Sequence, residues 1–173
     1  MIVQTIIEIP HGSQNKYEYD VTTGKIRLDR VLHAAMHYPV NYGFIPETWA
    51  EDNDPLDVLA MASTAIAPGI EVTVRVIGVL WMEDEHGLDA KIIGVVDTDP
   101  RFGQIKTMTD IGNHRLREIR HFFQEYKTLQ GIVTTVGNFQ DQDVAVTLIQ
   151  QCQQRFLTRK SPGGDTHVYP SYS

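Results

Sequence analysis

Two short segments of the sequence concentrate acidic residues without a single base. The first acidic segment, Glu51–Asp57, and the second, Glu83–Asp89, each hold four Asp or Glu residues in seven positions. Like charges this close repel one another, so folding them together costs free energy unless a cation intervenes. Magnesium usually takes one or two carboxylates together with waters and substrate phosphates. Both segments are therefore candidate metal-binding loops, and solvated acidic turns are the alternative.

The first acidic segment has features that a merely solubilising turn does not need. Its aspartates Asp52, Asp54 and Asp57 are separated by Asn and Pro, and the fixed φ of proline stiffens the turn. Each segment also ends in an acid, Asp57 or Asp89, at the start of an apolar run. The pattern is not an EF-hand, because Leu56 and Asp57 stand where the fifth ligand and the glycine belong.

Basic and aromatic residues that could bind an anion flank these acids. Lys16 and Glu18 alternate with tyrosines, which places them on one face of a strand. Residues 38–43 read as an aromatic turn before the first acidic segment, and Lys91 follows Asp89 closely. Each residue alone is typical of a surface lysine or a packed tyrosine. In combination with two acidic segments they suggest a site where metal ions and an anionic substrate meet.

Elements that could position these residues follow from the hydrophobic pattern. Five short apolar or alternating runs precede any helix and predict an antiparallel meander or a small barrel: Met1–Ile9, Tyr17–Val21, Val58–Ser63, Val72–Met82 and Ala90–Val96. A helix is predicted from Asn113 to about Lys127, with one apolar stripe of Leu116, Ile119, Phe122, Phe123 and Tyr126. A second helix carries Val144, Leu148, Cys152 and Phe156, with Asp141 or Asp143 as its N-cap, and Gly131 and Gly137 punctuate the connection. We expect one domain over residues 1–157 and a flexible C-terminal tail over 158–173.

Global composition limits the class of protein. The chain has 173 residues and a formal charge of −7, which argues against a protein that mainly coats nucleic acid. Cys152 is the only cysteine, so no disulfide can form within the chain and a reducing, cytoplasmic compartment is expected. No apolar run approaches the roughly 18 residues of a membrane span, and the N-terminus lacks the pattern of a signal peptide.

Together these residues resemble the family I soluble inorganic pyrophosphatases of the prokaryotic type. The family signature is Asp, a small residue, Asp, Pro, an aliphatic, Asp and an aliphatic, and residues 52–58 match it at every position. The blocks that also match, in consistent order over about residues 2–157, are 7–10, 15–18, 29–30, 38–39, 41–43, 84–85 with Gly87, 89–91, 121–123 and 126–127. One departure is Asn138-Phe139 after Gly137, where family members often have Trp.

The resemblance implies a fold, an activity and a role for each matched residue. The fold would be mainly β with helices (α+β), a five-stranded OB-type barrel flanked by two helices from the C-terminal half. The activity would be hydrolysis of inorganic pyrophosphate to two orthophosphates by in-line attack of a metal-activated water, with several Mg²⁺ per site and Mn²⁺ or Zn²⁺ as substitutes. By position, Asp54 would be the catalytic base, and Asp52, Asp57, Asp84 and Asp89 metal ligands. Phosphate would contact Lys16, Arg30, Tyr42, Lys91, Tyr126 and Lys127, with Glu8, Glu18, Tyr38 and Glu85 in supporting positions. The family also implies a homo-oligomer, a hexamer in bacteria, and no nucleic-acid or membrane partner.

Two other functions stay open from the residues. One is a nucleic-acid-binding OB-fold module, which would need stacking aromatics along a basic groove. The other is a metal-dependent nucleotide phosphohydrolase, for which the sequence offers no recognisable base or sugar pocket. The segment Asp97-Thr98-Asp99-Pro100 echoes the acidic motif but follows the last predicted barrel strand, so we interpret it as a loop.

Overall fold

The computed structural model describes residues 1–20, 23–84 and 87–160, with the side chains of Asp84 and Lys160 excepted. Its strands are β1 (Ile2–Ile9), β2 (Asn15–Asp20), β3 (Lys25–Val31), β4 (Asn41–Phe44), β5 (Asp57–Met61), β6 (Glu71–Asp84), β7 (Gly87–Val96) and β8 (Thr135–Asp141). Its helices are α1 (Met108–Ile111), α2 (Asn113–Glu125) and α3 (Gln142–Lys160), with short 3-10 turns at Pro100–Phe102 and Thr128–Gln130. No helix in these ranges is long and apolar enough to cross a membrane.

Five strands form a closed ring. The order is β1-β4-β5-β7-β6, and pairing of β6 back onto β1 completes the circle. All neighbours are antiparallel except β5 and β7, which run parallel. β8 extends the sheet from β6, and β2 and β3 form a separate two-stranded hairpin. The predicted α+β fold with a five-stranded OB-type barrel is confirmed, although the barrel is not a pure antiparallel meander.

The ring strands are apolar on both faces because each face is covered. Successive residues of a strand point to opposite faces of the sheet. Val58 and Leu59 of β5 accordingly belong to two different hydrophobic clusters. One cluster includes Phe122 and Phe123 of α2, and the other includes Ile149 of α3. A strand buried on both sides reads as a continuous apolar run rather than an alternating one, as the sequences of β5 and β7 do.

The predicted α2 stripe is confirmed, since Ile119, Phe122 and Phe123 are buried. The stripe predicted for α3 is wrong at its start, because Val144 is exposed and Ala145 and Ile149 are buried instead. The reason is geometrical: at about 100° per residue, each four-residue step drifts by about 40° around the helix. Val144 is three such steps from Phe156 and therefore lies outside the buried face. That face consists of Ala145, Ile149, Cys152 and Phe156.

Three strands were missed from the sequence. β3 has charged residues along its length, and β4 was interpreted as part of an aromatic turn although all four of its residues are buried. β8 contains Gly137, which was interpreted as punctuation between helices. α3 begins directly after Asp141 and runs to Lys160, three residues into the segment predicted as a tail, and residues 161–173 lie outside the described chain.

Candidate active site

A cavity of about 650 Å³ opens at one rim of the barrel and collects the predicted residues. Its wall is formed by β1, the β2–β3 hairpin, β4, the first acidic segment, the start of β7 and the end of α2. The lining residues predicted from the sequence are Glu8, Lys16, Glu18, Arg30, Tyr42, Asp52, Asp54, Asp57, Asp89, Lys91, Tyr126 and Lys127. Residues from distant parts of the chain thus meet in one place.

Three predicted residues are not part of this lining. Tyr38 is buried behind it, with its ring 5.7 Å from the ring of Tyr42 and 4.8 Å from that of Phe122. Asp84 ends β6, but its side chain is outside the described part of the chain, as is the whole of Glu85. The predicted roles of these two acids stay predictions.

The first acidic segment is held in a tight turn by local hydrogen bonds. Asn53 adopts a left-handed φ of 69°, which Asn tolerates better than most residues. The Asp54 amide donates to Asp52 Oδ1 at 3.2 Å, and the Ala50 amide donates to the Asp54 carbonyl at 2.8 Å. The turn therefore fixes the backbone that carries Asp52 and Asp54.

A buried threonine anchors the end of this turn. Thr48 Oγ1 donates to the Ile45 carbonyl at 2.6 Å and accepts the Leu56 amide at 2.9 Å. Leu56 is itself buried, so the residue before Asp57 cannot shift without breaking both packing and a hydrogen bond. Asp57 then starts β5 in a defined register.

Burial and mutual repulsion raise the pKa values of the acids in the turn. Burial, with the Asp57 and Asp89 charges, raises the pKa of Asp52 to about 6, against the lowering effect of the Asp54 amide and Lys91. Burial is also the main reason that the pKa of Asp54 is raised, with Asp57 and Glu18 adding to it. A nearby cation would therefore stabilise the ionised forms of Asp52 and Asp54.

Strand pairing places a lysine between two of the predicted metal ligands. In the parallel β5–β7 pair, Asp57 lies opposite Lys91. The buried Lys91 Nζ is 2.5 Å from an Asp57 oxygen and 2.6 Å from an Asp89 oxygen, and it donates to Tyr42 Oη at 3.1 Å. Burial disfavours the ammonium, but Asp57 and Asp89 outweigh this and hold the pKa of Lys91 well above its usual value.

The β2–β3 hairpin supplies two further cations. Lys16 and Arg30 lie opposite each other in its register. Both pair with Asp29, through Lys16 Nζ at 3.3 Å and Arg30 Nη1 at 2.7 Å, and Lys16 also pairs with Glu18. The predicted common face of Lys16 and Glu18 is confirmed by that contact.

Tyr126 and Lys127, at the end of α2, and Glu8 of β1 also line the cavity. Tyr126 and Lys127 are both buried, and the Lys127 Nζ is 5.7 Å from the centre of the Tyr126 ring. Glu8 Oε1 accepts the Tyr19 amide at 2.7 Å. Burial and, to a lesser degree, the charge of Asp57 nevertheless raise the pKa of Glu8 to about 8, so its ionised form is unfavourable in this position.

Sequence reasoning missed several residues of the wall, including Tyr19, Asp20, Phe44 and Trp49. Trp49 lies three residues before Asp52, and its aromatic character next to an acidic turn was the available signal. The loop interpretation of Asp97 and Asp99 agrees with their contacts. Asp97 pairs with Arg75 at 2.8 Å, and Asp99 accepts the Arg101 amide at the N-terminus of a 3-10 turn.

The donor set of the cavity suits a hard cation. Asp52, Asp57 and Asp89 present only oxygen atoms, which magnesium prefers. Among the residues that the structure describes, no three His, Cys, Asp or Glu side chains are grouped closely enough to enclose a metal. A magnesium ion does not need such a cage, because it keeps several waters and commonly binds through one or two carboxylates.

The sequence profile described as inorganic pyrophosphatase matches residues 5–157. The inorganic pyrophosphatase of Geobacillus stearothermophilus is 46% identical over 159 residues, covering 92% of this chain and 96% of the relative. The chain belongs to the inorganic pyrophosphatase family. The resemblance recognised from the residues is thereby confirmed.

Solved structures of the family share this fold. The crystal structure of inorganic pyrophosphatase from Thermus thermophilus superposes with a TM-score of 0.88 at 46% identity, covering 90% of this chain and 91% of that one. The inorganic pyrophosphatase from Helicobacter pylori gives the same TM-score at 36% identity, with 90% and 94% coverage. The match to the family profile therefore runs from residue 5, within β1, to residue 157, within α3.

Proposed function

We propose that this chain is an inorganic diphosphatase that hydrolyses pyrophosphate to two orthophosphates. The observation that carries the proposal is the cavity in which acids of both acidic segments meet Lys16, Arg30, Lys91 and Lys127. Pyrophosphate is a small, highly charged anion that needs cations on every side. Membership of the family supports the same activity.

We further propose that the metal is Mg²⁺, held by Asp52, Asp57 and Asp89, with Asp84 as a fourth candidate. The raised pKa of Asp52 supports this assignment, because burial and the neighbouring acids make its negative charge unfavourable without a cation. Bound Mg²⁺ would neutralise carboxylate and phosphate oxygens and make a water more acidic. Mn²⁺ and Zn²⁺ are candidate substitutes.

The protein's own residues would orient and stabilise the reacting groups. Lys16 and Arg30 on the hairpin, and Tyr126 and Lys127 at the end of α2, would bind phosphate oxygens and stabilise the charge of the leaving phosphate. Lys91 and Tyr42 already share a hydrogen bond and would act on the same anion. Asp54, with its raised pKa, would accept the proton of the attacking water.

A substitution that keeps the shape of the general base tests its role. We expect Asp54→Asn to lower kcat by at least ~10², because the amide cannot accept the proton. The measurement is phosphate release at saturating Mg²⁺, with Mg²⁺ binding followed separately by calorimetry. Near-normal turnover with intact metal binding would show that another group is the base.

The alternative functions are separated by one assay. Phosphate release from pyrophosphate that stops on addition of a chelator and resumes with Mg²⁺ is the expected result. Release from nucleoside triphosphates at an equal or higher kcat/KM would favour a nucleotide phosphohydrolase. Binding of single-stranded oligonucleotides without phosphate release would favour an OB-fold binding module.

We also propose that the enzyme acts in the cytoplasm as a homo-oligomer, a hexamer by analogy with bacterial members of the family. The single cysteine, Cys152, is buried and free, in keeping with a reducing compartment. Mass determination by light scattering on the purified full chain tests the hexamer, and a monomer would contradict it.

A further inference from the structure

The loop that leads into the first acidic segment is gripped by the C-terminal part of α3. Cys152, Arg155, Phe156 and Arg159 follow one another at spacings of three and four residues, which places them on one face of the helix. That face lies against residues 49–51, just before Asp52. The helix is therefore in contact with the site through a segment that the proposed mechanism does not use.

Three separate interactions form this grip. The Trp49 amide donates to the Cys152 carbonyl at 3.0 Å. The Arg155 Nη2 is 2.8 Å from Glu51 Oε1. The Arg159 guanidinium lies 3.9 Å from the centre of the Trp49 ring, a distance at which cation–π attraction is effective.

Packing connects the grip to the cavity wall. Phe156 is buried with Ile6 and Phe44, and the partly buried Trp49 and Tyr19 pack against them. Trp49, Phe44 and Tyr19 also line the cavity. The Trp49 side chain therefore contacts Arg159 of α3 and also forms part of the site wall.

We propose that Arg155 and Arg159 are positioning residues that hold Trp49–Glu51 so that Asp52 faces the cavity. Neither arginine is part of the cavity lining. The exposed Arg155–Glu51 pair alone would contribute little to stability. Instead, the Arg155–Glu51 pair would fix the position of Glu51, the residue next to Asp52. This inference rests on the proposed metal-binding role of Asp52.

Simple electrostatics and positioning predict opposite effects, which makes the proposal testable. Removing two positive charges near an acidic segment should strengthen Mg²⁺ binding if charge alone matters. Releasing the loop should weaken it, on the scale of about 10-fold seen when groups supporting a metal ligand are lost. The experiment compares the full chain with the Arg155→Ala/Arg159→Ala double variant by calorimetric titration with Mg²⁺.

The expected result is about 10-fold weaker Mg²⁺ binding and a matching rise in the Mg²⁺ concentration for half-maximal phosphate release, with kcat at saturating Mg²⁺ nearly unchanged. Arg159→Lys keeps a cation over Trp49. It should therefore retain most of the Mg²⁺ affinity that the Arg159→Ala single variant loses. Arg117→Ala, which removes one exposed arginine of α2, is the charge-matched control for the Arg159→Ala single variant and should bind Mg²⁺ as the parent does. Unchanged or tighter Mg²⁺ binding by the double variant overturns the proposal.

One further variant separates this inference from the metal assignment beneath it. If Asp52→Asn weakens Mg²⁺ binding while the double arginine variant does not, only the positioning role fails. If Asp52→Asn leaves Mg²⁺ binding unchanged, Asp52 is not a ligand and the metal assignment itself fails. Circular dichroism on each variant verifies that the fold is retained.

Discussion

Lys91 is an internal counter-ion for two acids that a metal ion would also bind. Its ammonium is buried between Asp57 and Asp89, which would otherwise repel each other. Breaking a buried ion pair by removing one partner is strongly destabilising, because the remaining charge is left uncompensated. A dication entering the cavity could provide that compensation in its place.

Lys91→Met should therefore make stability depend on metal. In the presence of a chelator we expect the unfolding free energy of the variant to be about 3 kcal/mol below that of the parent. We expect Mg²⁺ to raise the unfolding free energy of the variant by more than it raises that of the parent. Urea denaturation with EDTA and with Mg²⁺ measures both. An equal loss under the two conditions would show that Asp57 and Asp89 do not share a cation.

The elements differ in how far the sequence could predict them. β1, β5, β6 and β7 were predicted because each carries a short apolar or alternating run. β4 was missed because it has only four residues and its burial depends on neighbours from both sides, β1 and β5. β3 pairs only with β2 among the described strands and is largely exposed, so no apolar face marked it.

The site was predictable to the extent that its residues form a local motif. Asp52, Asp54 and Asp57 lie within one turn, so their spacing marked a candidate metal site, with a solvated acidic turn as the alternative. The contact of Arg159 with Trp49 joins residues 110 positions apart and leaves no local signal. Pairing of Lys91 with Asp57 likewise follows from strand register rather than from spacing.

Strand β4 approaches β1 so closely that only glycine fits at position 43. A Cβ on Gly43 would lie 2.0 Å from the Ile6 carbonyl oxygen and 2.9 Å from the Ile7 Cα, both backbone atoms. We expect Gly43→Ala to destabilise the protein by about 3 kcal/mol, because the ring must open locally to admit the methyl group. Gly43 is also next to Tyr42, so the cavity wall would move with it.

Chemical denaturation measures this loss, and Gly103→Ala is a suitable control. Gly103 has a helical φ of −57° and its Cβ would meet only the Pro100 carbonyl oxygen at 3.3 Å. The control should change the free energy of unfolding by about 0.5 kcal/mol or less. A Gly43→Ala variant as stable as this control would contradict the close strand contact.

The formal charge of the whole chain comes from the two acidic segments. They hold eight of the 22 acids and no Lys or Arg, and the rest of the chain has 14 acids against 15 bases. Four of these eight acids, Asp52, Asp54, Asp57 and Asp89, line the cavity. They place part of the electrostatic cost of folding at one rim of the barrel.

This cost should appear in the pH dependence of stability when metal is absent. Burial and the neighbouring acids raise the pKa of Glu8 from 4.5 to about 8 and that of Asp52 from 3.8 to about 6. Between about pH 4 and 8 the folded protein keeps protons that the unfolded chain has released. Raising the pH therefore favours unfolding, by at most about 1.4 kcal/mol for each unit by which the folded pKa exceeds the unfolded one.

Thermal or urea denaturation from pH 5 to 8 in EDTA measures this decline. Glu8→Gln can still accept the hydrogen bond from the Tyr19 amide, and it should remove most of the decline in stability above pH 6. Saturating Mg²⁺ should do the same for the parent protein. The unfolding free energy of Glu8→Gln minus that of the parent must increase as pH rises. A value that stays constant or decreases with pH would contradict the raised pKa.

Closure of the ring also governs when this enzyme can first work. The β1–β6 pairing joins residues such as Gln4 and Thr73, which are 69 positions apart. Pairings of this range are slow to form, since a long loop must close before any contact is gained. The cavity further needs Tyr126 and Lys127. During synthesis the chain must therefore emerge past Lys127 before the cavity is complete, and any activity that depends on the cavity cannot precede that step.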